Sequence, residues 1–179
     1  TMGLIALTIS SVTSLLAGVT LGFMSGTLEL LPGLLVLIPP AIGMRGNIFG
    51  AVGSRLGTAL HIGTFELTLK RGSILRQNLQ SSLLLTMFTS FIMGLLAKVV
   101  SEGVGVDSIG YADFVFISML GGLLAAFVLV FINLGVAYAG FKRNWDIDNI
   151  SAPLITAAGD VVTLPLLFVA ALAVIGAGD

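Results

Sequence analysis

The stretch "LLVLIPPAIGMRGNIFGAVGSRLGTALHIG", Leu34 to Gly63, decides the fold class, because it is long and apolar yet irregular. It contains two arginines, two adjacent prolines and six glycines. It exceeds the ~20 residues that a helix needs to cross a bilayer. Pro39 and Pro40 each remove a backbone donor, so we expect the helix to bend or partly unwind there. Such helices are tolerated at membrane depth when they are buried in protein or line an aqueous path.

The rest of the chain has the composition of a membrane protein. Hydrophobic residues make up 56% of it and charged residues 9%, against about 25% charged in soluble domains. The uncharged runs predict five spans, at residues 4–28, 34–65, 80–100, 112–140 and 153–176. They are too long and too uniformly apolar for barrel strands. We therefore predict a single all-α transmembrane domain over residues 1–179, whose first run is a span and not a signal peptide.

Loop charge predicts the orientation. The 66–79 and 141–152 connections carry five basic residues, whereas the 29–33 and 101–111 connections carry none. By the positive-inside rule the basic loops are cytoplasmic. With five spans the N-terminus is then cytoplasmic and the C-terminus outside, and we expect a multi-pass protein of the plasma or inner membrane.

The second span carries two parallel stripes at helical spacing. One stripe consists of Gly43, Gly46, Gly50, Gly53 and Gly57, and the other, the polar seam, of Asn47, Ala51, Ser54, Thr58 and His61. Glycine stripes in membranes are typical of close helix packing. The polar seam suits either an inter-helix contact or a water-facing wall.

Two arginines and one histidine are the ionisable residues of this span. Arg55 flanks the polar seam or extends toward the headgroups, and Arg45 lies on roughly the opposite face. Arg45 is predicted to be a structural anchor or a partner for an intramembrane acid. His61 stands alone, with no second histidine or cysteine to complete a transition-metal site.

The last span contains one carboxylate, Asp160, and the hydroxyls of Thr156 and Thr163 lie on the same face. An ionised group at the bilayer centre costs ~2.5–3.5 kcal/mol on insertion scales, so it needs a reason. Three reasons compete: an ion pair with Arg45 or Arg55, a proton-carrying carboxylate, and a cation site.

The stretches "PPAIGMRGNIFGAVGSRLGTAL" and "DIDNISAPLITAAGDVVTL" resemble the membrane domain of the MgtE magnesium channels and their eukaryotic solute-carrier relatives. The matching features are the two prolines, the Gly46–Asn47 pair, Asp148, the Ala152–Pro153 step, and Thr156 with Asp160. The "IFGAVGSR" run departs from the more polar run of bacterial members, and Arg55 is closer to the solute-carrier branch. We expect no counterpart here of the large cytoplasmic Mg²⁺-sensing region of MgtE, which leaves the gating mechanism open.

This resemblance implies transport of divalent cations, most of all Mg²⁺, with no cofactor. A single copy of a unit that eukaryotic relatives carry twice implies a homodimer, with a pore lined by spans two and five. Asp160, Thr156 and Asn47 are the implied metal-site residues. The expected lining adds the residues Ser54, Thr58, Thr163, Gly43, Gly46 and Gly50.

Two other functions remain open. The chain is either an exchanger that couples the divalent cation to Na⁺ or H⁺, or a non-transporting scaffold in which Asp160 pairs with an arginine. Catalysis is not expected, because the sequence has one histidine and no metal-ligand cluster. The net charge of −1 argues against a nucleic-acid partner, so membrane lipid and a second copy are the expected partners.

Overall fold

A computed structural model of the chain describes residues 2–28, 31–143 and 147–178. Within these ranges it contains five helices: α1 Met2–Leu28, α2 Leu34–Ile62, α3 Ile74–Gly103, α4 Tyr111–Lys142 and α5 Ile147–Gly178. Each is long and apolar enough to cross a membrane. The predicted all-α architecture with five spans is confirmed.

Helix α2 runs without interruption from Leu34 to Ile62, although Pro39 and Pro40 lie inside it. The unwinding expected at these prolines is therefore wrong. Both lie within the first two turns, so the two missing donors weaken only the start of the helix. Gly33 and Gly63 bound the helix in the left-handed conformation, with φ of 80° and 76°, which glycine adopts without steric cost.

The spans predicted from hydrophobicity differ from the helices mainly at their ends. Helix α3 begins at Ile74 and not near residue 80, because the Ser73 side chain accepts a hydrogen bond from the Arg76 N–H at 3.3 Å. Helix α5 begins at Ile147, so that Pro153 lies inside it. Both extensions, at residues 74–79 and 147–152, mix polar with apolar residues, so the uncharged runs do not mark where these helices begin.

Helix α5 packs extensively against α1, α2 and α4, while α3 packs against α2 and α4. We call the end of the bundle that carries the α2–α3 loop and Lys142 the basic end. Helix α2 contributes to three buried apolar clusters along the bundle, around Leu37, Phe49 and Leu56. Half of the residues in the most apolar part of α2 are buried, compared with 11% of those in α1. The second span is thus an interior helix, as its composition predicts.

Candidate functional site

Asp160 lies near the midpoint of α5, and its side chain is partly exposed at the surface of the protomer. No basic side chain of the described residues lies within ion-pair distance of its carboxylate. The ion pair with Arg45 or Arg55 that sequence left open is therefore not formed within the described residues. An acid at this depth with no countercharge is the least expected feature of the fold.

The carboxylate does have a partner on another helix. The Ser14 hydroxyl of α1 donates to Oδ2 of Asp160 at 2.7 Å. Five other hydroxyls of α1 bond instead to carbonyls of their own helix, namely Thr8, Ser11, Thr13, Thr20 and Ser25. Sequence reasoning assigned no role to α1, since one hydroxyl among several gives no signal of which one crosses to a neighbour.

Helices α2 and α5 approach each other closely beside Asp160. A Cβ built at Gly46 would lie 2.9 Å from Cγ2 of Thr156, and one at Gly159 would lie 3.8 Å from the Gly46 Cα. Gly46 and Gly159 directly precede Asn47 and Asp160 in the sequence. The Asn47 side chain is exposed. The structure thus brings Asp160, Thr156 and Asn47 to one level near the middle of the bundle.

Other predicted lining residues lie elsewhere. Ser54, Arg55 and Thr58 line a shallow groove of about 380 Å³ toward α3, together with Ile74 and Asn78. Thr163 is fully buried, and its Oγ1 has no hydrogen-bond partner among the described residues. Thr163 does not line a surface that is open in the single chain.

The glycine stripe divides into two kinds of position. A Cβ at Gly53 would collide with Cδ1 of Ile155 and lie 2.6 Å from Oδ1 of Asn133, whereas Cβ atoms at Gly43 and Gly50 would meet nothing within 4 Å. Gly46 and Gly53 are therefore the positions where close packing requires glycine. Asn133, which sequence reasoning missed, also donates to the Phe49 carbonyl at 2.9 Å.

Arg45 is fully buried on the side of α2 that faces α3 and α4. Its Nη1 donates to the Ala41 carbonyl at 2.9 Å, and its Nη2 to the Ser118 carbonyl of α4 at 3.5 Å. A Cβ at Gly122 would lie 2.7 Å from Nη2. No carboxylate of the described residues pairs with it, so these contacts favour the interpretation as a structural anchor over that as an acid's partner.

His61 occupies the basic end of α2. Its Nδ1 lies 3.0 Å from the Gly57 carbonyl, and its ring meets that of Phe141 edge-on with centroids 6.2 Å apart. These contacts are structural. The side chain of Asp148, one of the residues of the resemblance, lies outside the described residues.

The side chains at this site offer oxygen atoms as ligands. Carboxylate, hydroxyl and amide oxygens from Asp160, Thr156 and Asn47 are ligands for hard cations and for the waters that such cations retain. The described residues contain no group of three or more acidic, histidine or cysteine side chains that would hold a metal ion. Among the described residues, Asp160 is the carboxylate that lies beside the α2–α5 contact.

The amino-acid sequence matches the profile of the MgtE family, described as divalent cation transporter, over residues 38–170. This range includes α3 and α4 and most of α2 and α5, and thus every residue of the α2–α5 contact described above. It does not include Ser14.

Relatives of known sequence point the same way. Solute carrier family 41 member 3 of Rattus norvegicus is 29% identical over 140 residues, which cover 75% of this chain and 29% of that protein. Solute carrier family 41 member 2 of Homo sapiens is 26% identical over 138 residues, covering 74% and 23%. The chain thus spans less than a third of the length of these curated relatives. No solved structure matches it significantly.

Proposed function

The chain belongs to the MgtE family of divalent cation transporters, and from this premise we propose that it moves Mg²⁺ across the plasma or inner membrane along the axis of a homodimer. One observation carries the proposal. Asp160 is partly exposed near the middle of α5, on the face of Thr156 and next to the close approach of α2 that carries Asn47, and its partner among the described residues is a serine hydroxyl. A transporter family is not a family of enzymes, in agreement with the expectation from sequence.

A second copy supplies what one chain lacks. Two-fold pairing that brings α5 helices together places two Asp160 carboxylates near one axis. At about 8 Å apart they repel by ~2 kcal/mol at an effective dielectric near 20, and a dication between them removes this penalty. The partly exposed position of Asp160 supports this arrangement, since a carboxylate facing lipid would be costly.

Mg²⁺ gives up its hydration shell reluctantly and usually keeps several waters. A Mg²⁺ site between two chains therefore needs acceptors for these waters around the carboxylates. Thr156 and the exposed Asn47 are suitably placed on the two helices that meet beside Asp160. In this proposal the carboxylates supply charge, and the hydroxyl and amide oxygens orient the waters.

The two other functions are distinguished by different observations. The scaffold requires an Asp160–arginine pair, whereas the described contacts of Arg45 are backbone carbonyls and those of Asp160 include Ser14. The coupled exchanger uses the same site. Mg²⁺ flux into proteoliposomes, with and without a membrane potential and a Na⁺ or H⁺ gradient, separates channel from exchanger.

The test is the Asp160→Asn variant in the same proteoliposomes. The amide keeps the size and one acceptor oxygen but removes two charges per dimer, so Mg²⁺ flux should fall by roughly tenfold or more while the dimer stays folded. Asp107→Asn, the same change on an exposed loop, should leave flux unaltered. If Asp160 were instead paired with a buried arginine, its loss would cost about 3–5 kcal/mol and the variant would misfold. A folded dimer with normal flux and normal selectivity over Na⁺ would exclude the cation site.

A further inference from the structure

A deep apolar groove of about 520 Å³ opens between α3 and α4 at the basic end of the bundle. Its walls are mostly leucine and phenylalanine, including Leu75, Leu79, Leu83, Phe127, Phe131 and Leu134. The rings of Phe127 and Phe131 meet edge-on, 5.1 Å apart, and both are more than half exposed. The volume falls in the ~300–1,000 Å³ range of small-molecule sites.

The groove opens toward the bilayer and not toward the cation site. Its walls are parts of two membrane-spanning helices, and α3 shares no extensive interface with α5. From Leu75 to Leu83 the groove follows α3 for ~12 Å, at 1.5 Å per residue. One leaflet contributes ~15 Å of hydrocarbon, half of the bilayer core. The dimensions and chemistry therefore suit one acyl chain lying along the helices.

The loop that closes one end of the groove is basic. Thr68 and Leu69 of the α2–α3 loop close its end. The Arg76 guanidinium donates to the Leu69 carbonyl at 3.5 Å, and the Lys70 N–H donates to Oγ1 of Thr68 at 3.3 Å. A further bond from the Ser73 hydroxyl to the Thr68 carbonyl, 2.7 Å long, holds the loop in a defined shape.

The charge of this loop is complementary to an anion. Lys70 and Arg71 are exposed and Arg76 is partly exposed, against one exposed acid, Glu66. No carboxylate of the described residues pairs with these three cations. Basic side chains next to a spanning helix attract anionic lipids by ~1 kcal/mol each.

We propose that this groove binds one anionic glycerophospholipid, with an acyl chain against the leucine and phenylalanine walls and its phosphate beside Arg76 and Lys70. The observation that selects this occupant is the position of an acyl-sized apolar groove next to a basic loop, whose Thr68 and Leu69 close one end of the groove. A second copy of the chain is the alternative occupant, which the groove variants below distinguish. The site is independent of the proposed cation path, since it lies on other helices.

The test uses purified dimers or monomers incubated with phosphatidylglycerol or phosphatidylcholine of identical acyl chains, with retained lipid counted by native mass spectrometry. Wild-type protein should retain phosphatidylglycerol at least about threefold better than phosphatidylcholine. The double variant Lys70→Gln/Arg76→Gln should lose this preference, and Arg76→Lys should keep it. Lys142→Gln, which removes one charge from the same end of the bundle but not from the groove, is the matched control.

A second set of variants fills the groove. Leu79→Trp should lower retention of both lipids, with Leu83→Phe as the milder alternative if the first does not fold. Unchanged phosphatidylglycerol retention in the charge variants, or in a folded groove variant, would overturn the proposal. So would a groove variant that changes the oligomeric state without changing lipid retention, because that result assigns the groove to a second copy.

Discussion

Ser14 and Asp160 share a hydrogen bond near the midpoints of α1 and α5, where an isolated carboxylate costs ~2.5–3.5 kcal/mol to insert. A hydrogen bond to a charged acceptor contributes about 1.5–3 kcal/mol, so one hydroxyl offsets a substantial part of that cost. Unlike an arginine, the serine hydroxyl brings no positive charge to the carboxylate. Asp160 thus has a hydroxyl partner but no basic partner among the described residues, as the proposed cation site requires.

This geometry predicts the effect of Ser14→Ala. The carboxylate loses its donor and its preferred orientation, so Mg²⁺ flux at limiting Mg²⁺ should fall by roughly three- to tenfold with the fold intact. Ser11→Ala is the matched control, because Ser11 bonds to the Leu7 carbonyl of its own helix. Flux in proteoliposomes measures both variants, and equal flux in the two would show that Ser14 does not orient the site.

Arg45, unlike Asp160, is accommodated by burial. It is fully buried, and its charge is met by the carbonyl dipoles of Ala41 and Ser118 and not by an acid. Because its side chain points toward α3 and α4, away from α5, it leaves the carboxylate of Asp160 without a countercharge. Arg45 and Asp160 thus have separate partners and do not pair with each other.

The glycines of α2 fall into two groups, those that pack closely against α5 and those that do not. Gly46 and Gly53 touch side chains of α5, whereas the Cβ positions of Gly43 and Gly50 are open in the single chain. Within the protomer, α5 therefore requires glycine at Gly46 and Gly53, whereas Gly50 is buried but has room for a Cβ.

Alanine at the two glycines gives a matched comparison. Gly53→Ala should destabilise the protomer by ~1–3 kcal/mol, because the new Cβ collides with Ile155 and crowds Asn133. Gly50→Ala should leave stability unchanged or raise it by up to about 1 kcal/mol, the helix propensity gain. Thermal unfolding in detergent measures both. A destabilised Gly50→Ala beside a stable Gly53→Ala would contradict the α2–α5 contact.

At the scale of the molecule, charge separates the two ends of the bundle. Lys70, Arg71 and Arg76 lie at the basic end, while the other end contains Lys98, which forms an ion pair with Glu102 at 3.2 Å and donates to Ser108. The one basic residue bordering the 101–111 loop is thus neutralised locally. The 101–111 loop itself carries no basic residue, and this difference from the basic end is what predicts the orientation.

Labelling with membrane-impermeant maleimide tests this orientation, and the absence of cysteine from the chain removes background. Arg71→Cys should be protected from reagent added outside intact cells, and Asp107→Cys should react. Both should react after permeabilisation, which controls for accessibility. Reaction of Arg71→Cys but not of Asp107→Cys from outside would reverse the predicted topology.

The number of spans, their approximate positions and the residues of the α2–α5 site all follow from the sequence. Hydrophobic length and isolated charge are local properties, and each helix satisfies its own backbone, so neither depends on how the helices are arranged. The same reasoning placed Asp160, Thr156 and Asn47 on defined helical faces. The starts of α3 and α5 are less evident from the sequence, because polar residues interrupt the apolar pattern there, and at α3 the helix extends back to the Ser73 cap.

What each face touches depends on neighbours that are distant in sequence. Helical spacing places Thr156, Asp160 and Thr163 on one side of α5, yet α1 and α2 leave Asp160 partly exposed and Thr163 fully buried. The same holds for Ser14, which is one hydroxyl among several until α1 docks against α5. The sequence of a helix shows one periodicity, but the helix packs against several neighbours. Where those neighbours lie around the helix is determined only when the helices assemble.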